Sequence, residues 1–234
     1  MLLLLAYQIL ALHRQTPHLP TTQPPNTLTE LAQLANDAAL AALVQHSHNR
    51  ISINANLHGL EPTHHDSFRI LELAKLAQHL ALGLAQSTAL KSTKNVKLLF
   101  SSAADAAAAA TTTQYARVPT SVLAATTALE PTDGAYVVIA PRPEPTAPAT
   151  AAAAFHKLVQ GAGSRPVIVV NPRLGADDNV ADLCPAFHLQ PLSFTFMADN
   201  LATELSRADA CLMRCFPHEW TVLLDAERRR EYEL

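Results

Sequence analysis

The chain has 234 residues, of which 49% are hydrophobic, so it is long enough to bury the core of one or two domains. It carries 17 lysines and arginines against 20 aspartates and glutamates, for a formal net charge of −3. This balance lacks the basic footprint of a protein that binds a nucleic-acid backbone, so we exclude nucleic acid as the main partner. The three cysteines form no C-x-x-C pair and no even set, which argues against a disulfide framework or a structural zinc site.

The N-terminal region joins an apolar run to a proline-rich linker. Leu2 to Leu12 is apolar but shorter than the roughly 20 residues of a membrane-spanning helix, so we expect no transmembrane span. No acidic residue occurs from Met1 to Thr29, which is typical of organelle transit segments, although the apolar run also resembles a short secretory segment. We predict an extension over residues 1–26, one α/β domain over 27–225 and a charged tail over 226–234.

Hydrophobic spacing predicts the first elements of this domain. Helical periodicity predicts two long helices over Thr27–Gln45 and Ser67–Gln86, and either Asn26 or Thr27 can cap the first. Between them, apolar and polar residues alternate from Ile51 to Leu57. That period of two predicts a half-exposed strand near a sheet edge.

Further strands and helices follow in alternation. The pattern predicts a strand at Val96–Phe100, an alanine-rich helix at Ala103–Ala110 and an irregular segment from Thr111 to Thr132. Thr150 can cap a helix that runs to Gln160, and Gly161-Ala-Gly163 ends it. Alternating strands and helices predict a single Rossmann-like, mainly parallel sheet flanked by helices. Three C-terminal strands should extend it in antiparallel fashion: Phe187–Phe196, Ala210–Phe216 and Trp220–Leu224.

Two mostly β-branched runs, beginning at Tyr136 and Val167, end in the same dipeptide, Pro-Arg. Their prolines, Pro141 and Pro172, are about 30 positions apart, which is the length of a β-helix-β unit. Because proline cannot donate to a sheet ladder, each one should end a strand. The two strands should therefore be neighbours that run parallel.

The arginines that follow these prolines provide the candidate binding site. Arg142 and Arg173 should emerge with Asn171 at the carboxyl ends of the strands, where open α/β sheets bind their ligands. Because a guanidinium matches carboxylates and phosphates, we predict a site for a small anion. The structural alternative is that both arginines pair with nearby carboxylates, Arg173 with Asp177 or Asp178 and Arg142 with Glu144.

No catalytic motif accompanies these residues. Gly161-x-Gly163 follows a helix and precedes a strand, the reverse of a phosphate-binding loop, and the chain has no P-loop, G-x-S-x-G or H-E-x-x-H motif. Histidines such as His46, His48 and His58 suit a surface metal cluster, but scatter through loops is the simpler interpretation. We therefore predict no metal and no cofactor. Arg214, Pro217 and Trp220 are predicted to form a structural clamp over the C-terminal hairpin.

Four blocks of sequence occur in a characteristic order: Val96-Lys-Leu-Leu-Phe100, Val137-Val-Ile-Ala-Pro-Arg-Pro143, Arg165-Pro-Val-Ile-Val-Val-Asn-Pro-Arg-Leu174, and Leu212-Met-Arg-Cys-Phe-Pro217 with Trp220. In these blocks the chain resembles the DUF1995 family of cyanobacteria, algae and plants, from about Pro24 to Leu224. The Asn-Pro-Arg-Leu block is the most specific feature. The chain departs from the family in two places: Ser101-Ser102-Ala103 replaces a Pro-Asp and glycine turn, and the segment after Leu174 is short and lacks a basic helix.

The resemblance implies a protein of the chloroplast stroma, since one plant member of the family is a stromal factor for photosystem II accumulation and the domain also occurs fused to a plastid adenylate kinase. We therefore expect a non-enzymatic protein that binds a plastid protein partner and supports photosystem II assembly or maintenance. The alternative is a binding domain or enzyme for an anionic, nucleotide-like small molecule.

Overall fold

The structure is a computed structural model that describes residues 24–25, 27–56, 67–87, 95–111, 118–124, 127, 129–141, 148–174, 182–197 and 205–224. Helices and strands alternate through most of this range. The helices are α1 (Leu28–Gln45), α2 (Ser67–Gln86), α3 (Ala103–Thr111) and α4 (Pro148–Ala162). The strands are β1 (Arg50–Ala55), β2 (Val96–Phe100), β3 (Thr120–Val122), β4 (Ala135–Ile139), β5 (Val167–Val170), β6 (Cys184–Met197), β7 (Leu205–Cys215) and β8 (Thr221–Leu224).

All the described strands join one eight-stranded sheet in the order β3-β2-β4-β5-β1-β6-β7-β8. The first six strands in this order run parallel to one another, whereas β7 is antiparallel to both β6 and β8. The predicted fold class is therefore confirmed: a mainly parallel α/β sheet with antiparallel strands at its C-terminal end. Within the described residues, none of the helices is both long and apolar enough to cross a membrane.

Helices cover the two faces of this sheet unequally. The buried side chains of α1, α2 and α3 share one core with inward-facing residues such as Ile53, Val137 and Phe187. On the opposite face, Phe155 and Leu158 of α4 pack on a smaller core from β2, β4 and β5. The cover of α4 therefore lies over the middle of the sheet.

The predicted helices agree closely with the structure. The first begins at Leu28, and the Thr27 hydroxyl caps it by accepting a hydrogen bond from the Glu30 backbone N–H at 3.1 Å. The bounds predicted for α2 are confirmed, and the alanine-rich helix extends one residue further, to Thr111. The prediction that Thr150 caps α4 was wrong, because the helix begins at Pro148, a residue well suited to a first helical turn.

The edge position predicted for the strand at Ile51 was also wrong. Strand β1 lies inside the sheet, paired in parallel with β5 on one side and β6 on the other. Its alternation has a different cause. Ile51 and Ile53 face the large core, whereas Asn54 faces the side that α4 only partly covers and is half-buried. The alternation of apolar and polar residues in β1 therefore does not require a position at the edge of the sheet.

The region predicted to be irregular contains the short strand β3, which pairs in parallel with β2 at the sheet edge. Three residues are too few for a period-two pattern to stand out in the sequence. The two strands that end in proline are adjacent, parallel and completely buried, with Val137 opposite Ile168. Their continuous apolar character therefore reflects cover on both faces.

Strand β6 links the parallel and antiparallel parts of the sheet. It pairs with β1 from Cys184 to Leu189 and with β7 from Phe187 to Met197. Pro191 lies beyond the last residue of β6 that pairs with β1, so its missing N–H leaves no gap in that ladder. The three predicted C-terminal strands are present and pair with one another in antiparallel fashion, although β6 and β7 are longer than predicted. The prediction that all three extend the sheet in antiparallel fashion was wrong for β6, which joins the sheet in parallel with β1.

Candidate functional site

Asn171 and Ala55 join two neighbouring strands at the carboxyl edge of the sheet, where β1, β2, β4 and β5 end. The Ala55 backbone N–H donates to Asn171 Oδ1 at 2.6 Å, and Asn171 Nδ2 donates to the Ala55 carbonyl at 2.9 Å. The Asn171 side chain is 1% exposed. It therefore continues the β1–β5 ladder beyond the last paired backbone groups and fixes the position of both strand ends.

Two residues at this edge have left-handed backbone conformations although neither is glycine. Ala140 follows β4 with a φ of 41°, and Asn171 follows β5 with a φ of 46°. Each precedes the proline of a Pro-Arg pair. Such conformations cost energy outside glycine and cluster at functional sites, so the backbone at the carboxyl edge is locally strained.

The serines that depart from the family pattern have structural roles at the same edge. Ser101 donates its hydroxyl hydrogen to the Ala140 carbonyl at 3.1 Å, which ties β2 to β4. The Ser102 hydroxyl accepts a hydrogen bond from the Asp105 backbone N–H at 3.1 Å and caps α3. These two hydroxyls therefore satisfy backbone groups at the turn.

Only part of the predicted anion site falls within the described residues. Arg173 is exposed at the carboxyl edge, and its backbone N–H donates to the carbonyl of buried Pro141 at 2.9 Å. Pro172 is half-buried beside Asn171. Arg142, Glu144 and the two aspartates predicted to pair with Arg173 lie outside the described residues. The anion site therefore stays a prediction.

A second candidate surface lies on the face of β6, β7 and β8 opposite α1. We call it the outer face. His188 is opposite Arg214 in the sheet register, and Gln190, Leu212 and Val222 form the adjacent row. On the reverse side of the same strands, Phe187, Leu189, Cys211 and Met213 are buried in the large core. The outer face comprises His188, Gln190, Leu212, Arg214, Val222 and Trp220.

Trp220 connects the two basic residues of the outer face. The Arg214 guanidinium carbon lies 5.4 Å from the centre of the Trp220 ring, within range of a cation–π interaction. The His188 ring lies 4.9 Å from the same ring at an interplanar angle of 63°. The predicted clamp thus brings Arg214 and Trp220 together, while Pro217 is exposed after a cis peptide bond.

The guanidinium of Arg214 has no hydrogen-bond or ion-pair partner among the described residues. Its Nε atom is buried and has no acceptor among them. Nearly all buried polar atoms in proteins are hydrogen-bonded. An arginine held by an aromatic ring with unused donors is suited to receiving an external acceptor.

His188 was not predicted as a site residue. Burial lowers its pKa, and a 3.3 Å contact with the Gln190 amide oxygen opposes this effect. The sequence does contain a signal, since His188 and Gln190 alternate with buried Phe187 and Leu189. The identity of the residue opposite His188 depends on the register of β6 against β7, which local sequence does not give.

Arg50 lies at the other end of the parallel strands, where its side chain has structural partners. Arg50 donates to the carbonyls of Val159, Gly163 and Arg165 at 2.7–2.9 Å, so its guanidinium caps the C-terminus of α4. Gly163, with a φ of 59°, ends that helix as predicted. A small cavity of about 150 Å³ adjoins Arg50, but the Arg50 guanidinium is already hydrogen-bonded to carbonyls at the end of α4.

The described residues offer little for covalent or metal chemistry. Burial raises the pKa values of Cys211 and Cys215 to about 11, and the nearby charge of Asp37 adds to the shift of Cys215. Thiols of this kind are poor nucleophiles. Within the described ranges, no group of three or more potential ligands is placed to hold a metal ion.

The fold and its surfaces define an α/β protein with a mainly parallel sheet, one strained carboxyl edge and one basic, aromatic outer face. The sequence matches the Domain of unknown function (DUF1995) over residues 25–234. The chain therefore belongs to the DUF1995 family, as the sequence motifs indicated. No curated protein and no solved structure shows significant similarity to it.

Proposed function

We propose that this chain is a non-enzymatic plastid protein that supports the assembly or maintenance of photosystem II by binding a protein partner. The single observation that carries the binding role is the outer face. There, Trp220 is 44% exposed and Val222 is 53% exposed, next to an arginine, Arg214, whose Nε has no acceptor among the described residues. Aromatic residues and arginine are the types most enriched where proteins bind one another.

Membership of the DUF1995 family supports the plastid and photosystem II parts of the proposal, through the resemblance to a stromal photosystem II factor. The acid-poor N-terminal composition supports a plastid location. The raised pKa values of Cys211 and Cys215 favour binding over covalent catalysis.

A deletion strain tests this proposal directly. We expect lower photosystem II content and slower recovery of the complex after high light, both restored by reintroducing the chain. A variant with Trp220→Ala and Val222→Ser should accumulate to normal levels but fail to restore the complex, because neither side chain belongs to the buried core. Normal photosystem II content and recovery in the deletion strain would refute the proposal.

The second candidate function is the binding of a small anionic or nucleotide-like molecule at the carboxyl edge. It is favoured by the left-handed Ala140 and Asn171 at neighbouring strand ends, because strained residues cluster at ligand sites. A thermal-shift screen with nucleotides and inorganic phosphate tests it, since a ligand that binds only the folded state raises the melting temperature. Arg173→Gln should abolish any such shift.

A further inference from the structure

We propose that the outer face binds an extended acidic segment of the partner protein, with one carboxylate received by Arg214 and a neighbouring apolar side chain packed on Trp220 and Val222. The inference rests on the proposed function, because it specifies the chemistry of the partner that this function requires. It concerns a different part of the sheet from the carboxyl edge.

Charge complementarity identifies the acidic component. Arg214 is positioned by Trp220 and is partly exposed, and its guanidinium has no ion-pair partner among the described residues. Glu219 is next to Trp220 in the chain, yet it forms no ion pair with Arg214. A carboxylate from outside would supply an acceptor to a guanidinium that the described part of the chain leaves without one.

The apolar neighbours argue for a peptide over a free anion. An ion pair on an open surface is screened by water and salt and contributes little by itself. Trp220 and Val222 remain more than two-fifths exposed, and Leu212 lies half-buried in the same row as Val222. Covering these side chains adds the hydrophobic contribution that a small anion cannot make.

An extended segment also matches the spacing of the outer face. The row of Gln190, Leu212 and Val222 lies beside the row of His188 and Arg214, so the Arg214 guanidinium is adjacent to apolar side chains on one face of the sheet. A segment with alternating acidic and apolar residues presents both groups at similar intervals. We therefore use a capped six-residue peptide of alternating leucine and glutamate as the probe.

Trp220 is the only tryptophan in the chain, so its fluorescence reports on this surface alone. We expect a saturable fluorescence change with the glutamate peptide and binding weaker by roughly tenfold or more with the matched glutamine peptide. Arg214→Gln should weaken binding of the glutamate peptide by a similar factor. Lys157→Gln removes one positive charge from the exposed side of α4 and should leave binding unchanged.

Two further measurements keep the proposal falsifiable if Arg214→Gln does not fold. Val222→Glu changes a largely exposed side chain and should weaken glutamate-peptide binding, because it removes an apolar contact and adds a like charge, while the melting temperature stays near that of the parent. Inorganic phosphate should cause no saturable change at millimolar concentration. Equal binding of both peptides, unchanged binding by Val222→Glu, or saturation by phosphate without peptide binding would each overturn the proposal.

A failure of the acidic-partner proposal can be distinguished from a failure of the proposed function. Peptide binding is measured on the purified chain, whereas the photosystem II role is measured in the deletion strain. Tight, Arg214-dependent binding of the glutamate peptide together with normal photosystem II content in the deletion strain would support the acidic partner and refute the photosystem II role. An impaired deletion strain that Arg214→Gln fully restores would refute the acidic partner alone.

Discussion

Arg50 donates a hydrogen bond to the backbone carbonyl of Arg165 at 2.8 Å, and the two side chains together cap the C-terminus of α4. Arg50 also donates to two other carbonyls at the C-terminus of α4, and Arg165 donates to two further carbonyls there. The guanidinium carbon of Arg165 lies 5.3 Å from the centre of the Tyr136 ring. Positive charge at this end also complements the helix dipole. The carbonyls are those of Val159 and Gly163 for Arg50, and Gly161 and Ala162 for Arg165.

Replacing Arg50 should destabilise the fold. Arg50→Met keeps most of the side-chain length but removes four charge-assisted hydrogen bonds to part-buried and exposed carbonyls. We expect the free energy of unfolding to fall by about 2 to 3 kcal/mol, measured from the urea midpoint at constant slope.

The matched control for this variant is Lys157→Met, which removes an exposed positive charge from the same helix. Its effect should stay within about 0.5 kcal/mol. If both variants have the same urea midpoint as the parent, the capping bonds of Arg50 do not stabilise the chain.

Asn171 offers a test that separates backbone strain from hydrogen bonding. Asn171→Ala removes both bonds to Ala55 and leaves a buried N–H and carbonyl unpaired, which should cost about 2 to 4 kcal/mol. Asn171→Gly loses the same bonds but adopts the φ of 46° without penalty. The glycine variant should therefore be more stable than the alanine variant by about 1 kcal/mol. The opposite order in urea unfolding would contradict this account.

Much of the fold was predictable from local patterns. The β-branched runs before Pro141 and Pro172 predict two parallel, buried neighbours, because proline fixes where each strand ends. Strand order was harder to predict. The alternation that begins at Ile51 was interpreted as an edge pattern, but it arises inside the sheet where the cover by α4 is incomplete.

The candidate sites were less predictable for the same physical reason. The sequence placed Asn171 at the carboxyl edge, but the role of its amide depends on Ala55, which is 116 residues away. The contact of His188 with Trp220 likewise depends on the pairing of β6, β7 and β8. Local periodicity gives the face on which a side chain lies, whereas its neighbour depends on long-range register.

The cysteines should be unreactive in the folded chain. With pKa values near 11, Cys211 and Cys215 are ionised only to about one part in a thousand at pH 8, and only the thiolate attacks disulfide reagents. We expect slow reaction with Ellman's reagent until urea unfolds the chain. Burial also raises the pKa of Cys184, but the charge of Arg214 opposes this rise, so Cys184 should react first. Fast labelling of Cys211 in the native protein would show that its surroundings are open.

His188 and Trp220 predict a pH-dependent fluorescence signal. A protonated imidazole quenches a neighbouring indole, and the two rings are 4.9 Å apart. Burial lowers the pKa of His188 from its ordinary value of 6.5, so the fluorescence of Trp220 should fall on acidification with a midpoint below 6.5. His188→Gln should remove this step, whereas His218→Gln, which changes a histidine near the same tryptophan in sequence, should retain it.

The lowered pKa of His188 also determines how this residue changes the stability of the fold as pH falls. Because the folded state holds the His188 proton less tightly than the unfolded state, protonation favours unfolding. The contribution of this residue is fully present above pH 6.5, is lost as pH falls from there toward the folded-state pKa, and is constant below it. Urea unfolding of the parent and His188→Gln across this window should therefore diverge only below pH 6.5. A parent that became relatively more stable on acidification would contradict a lowered pKa.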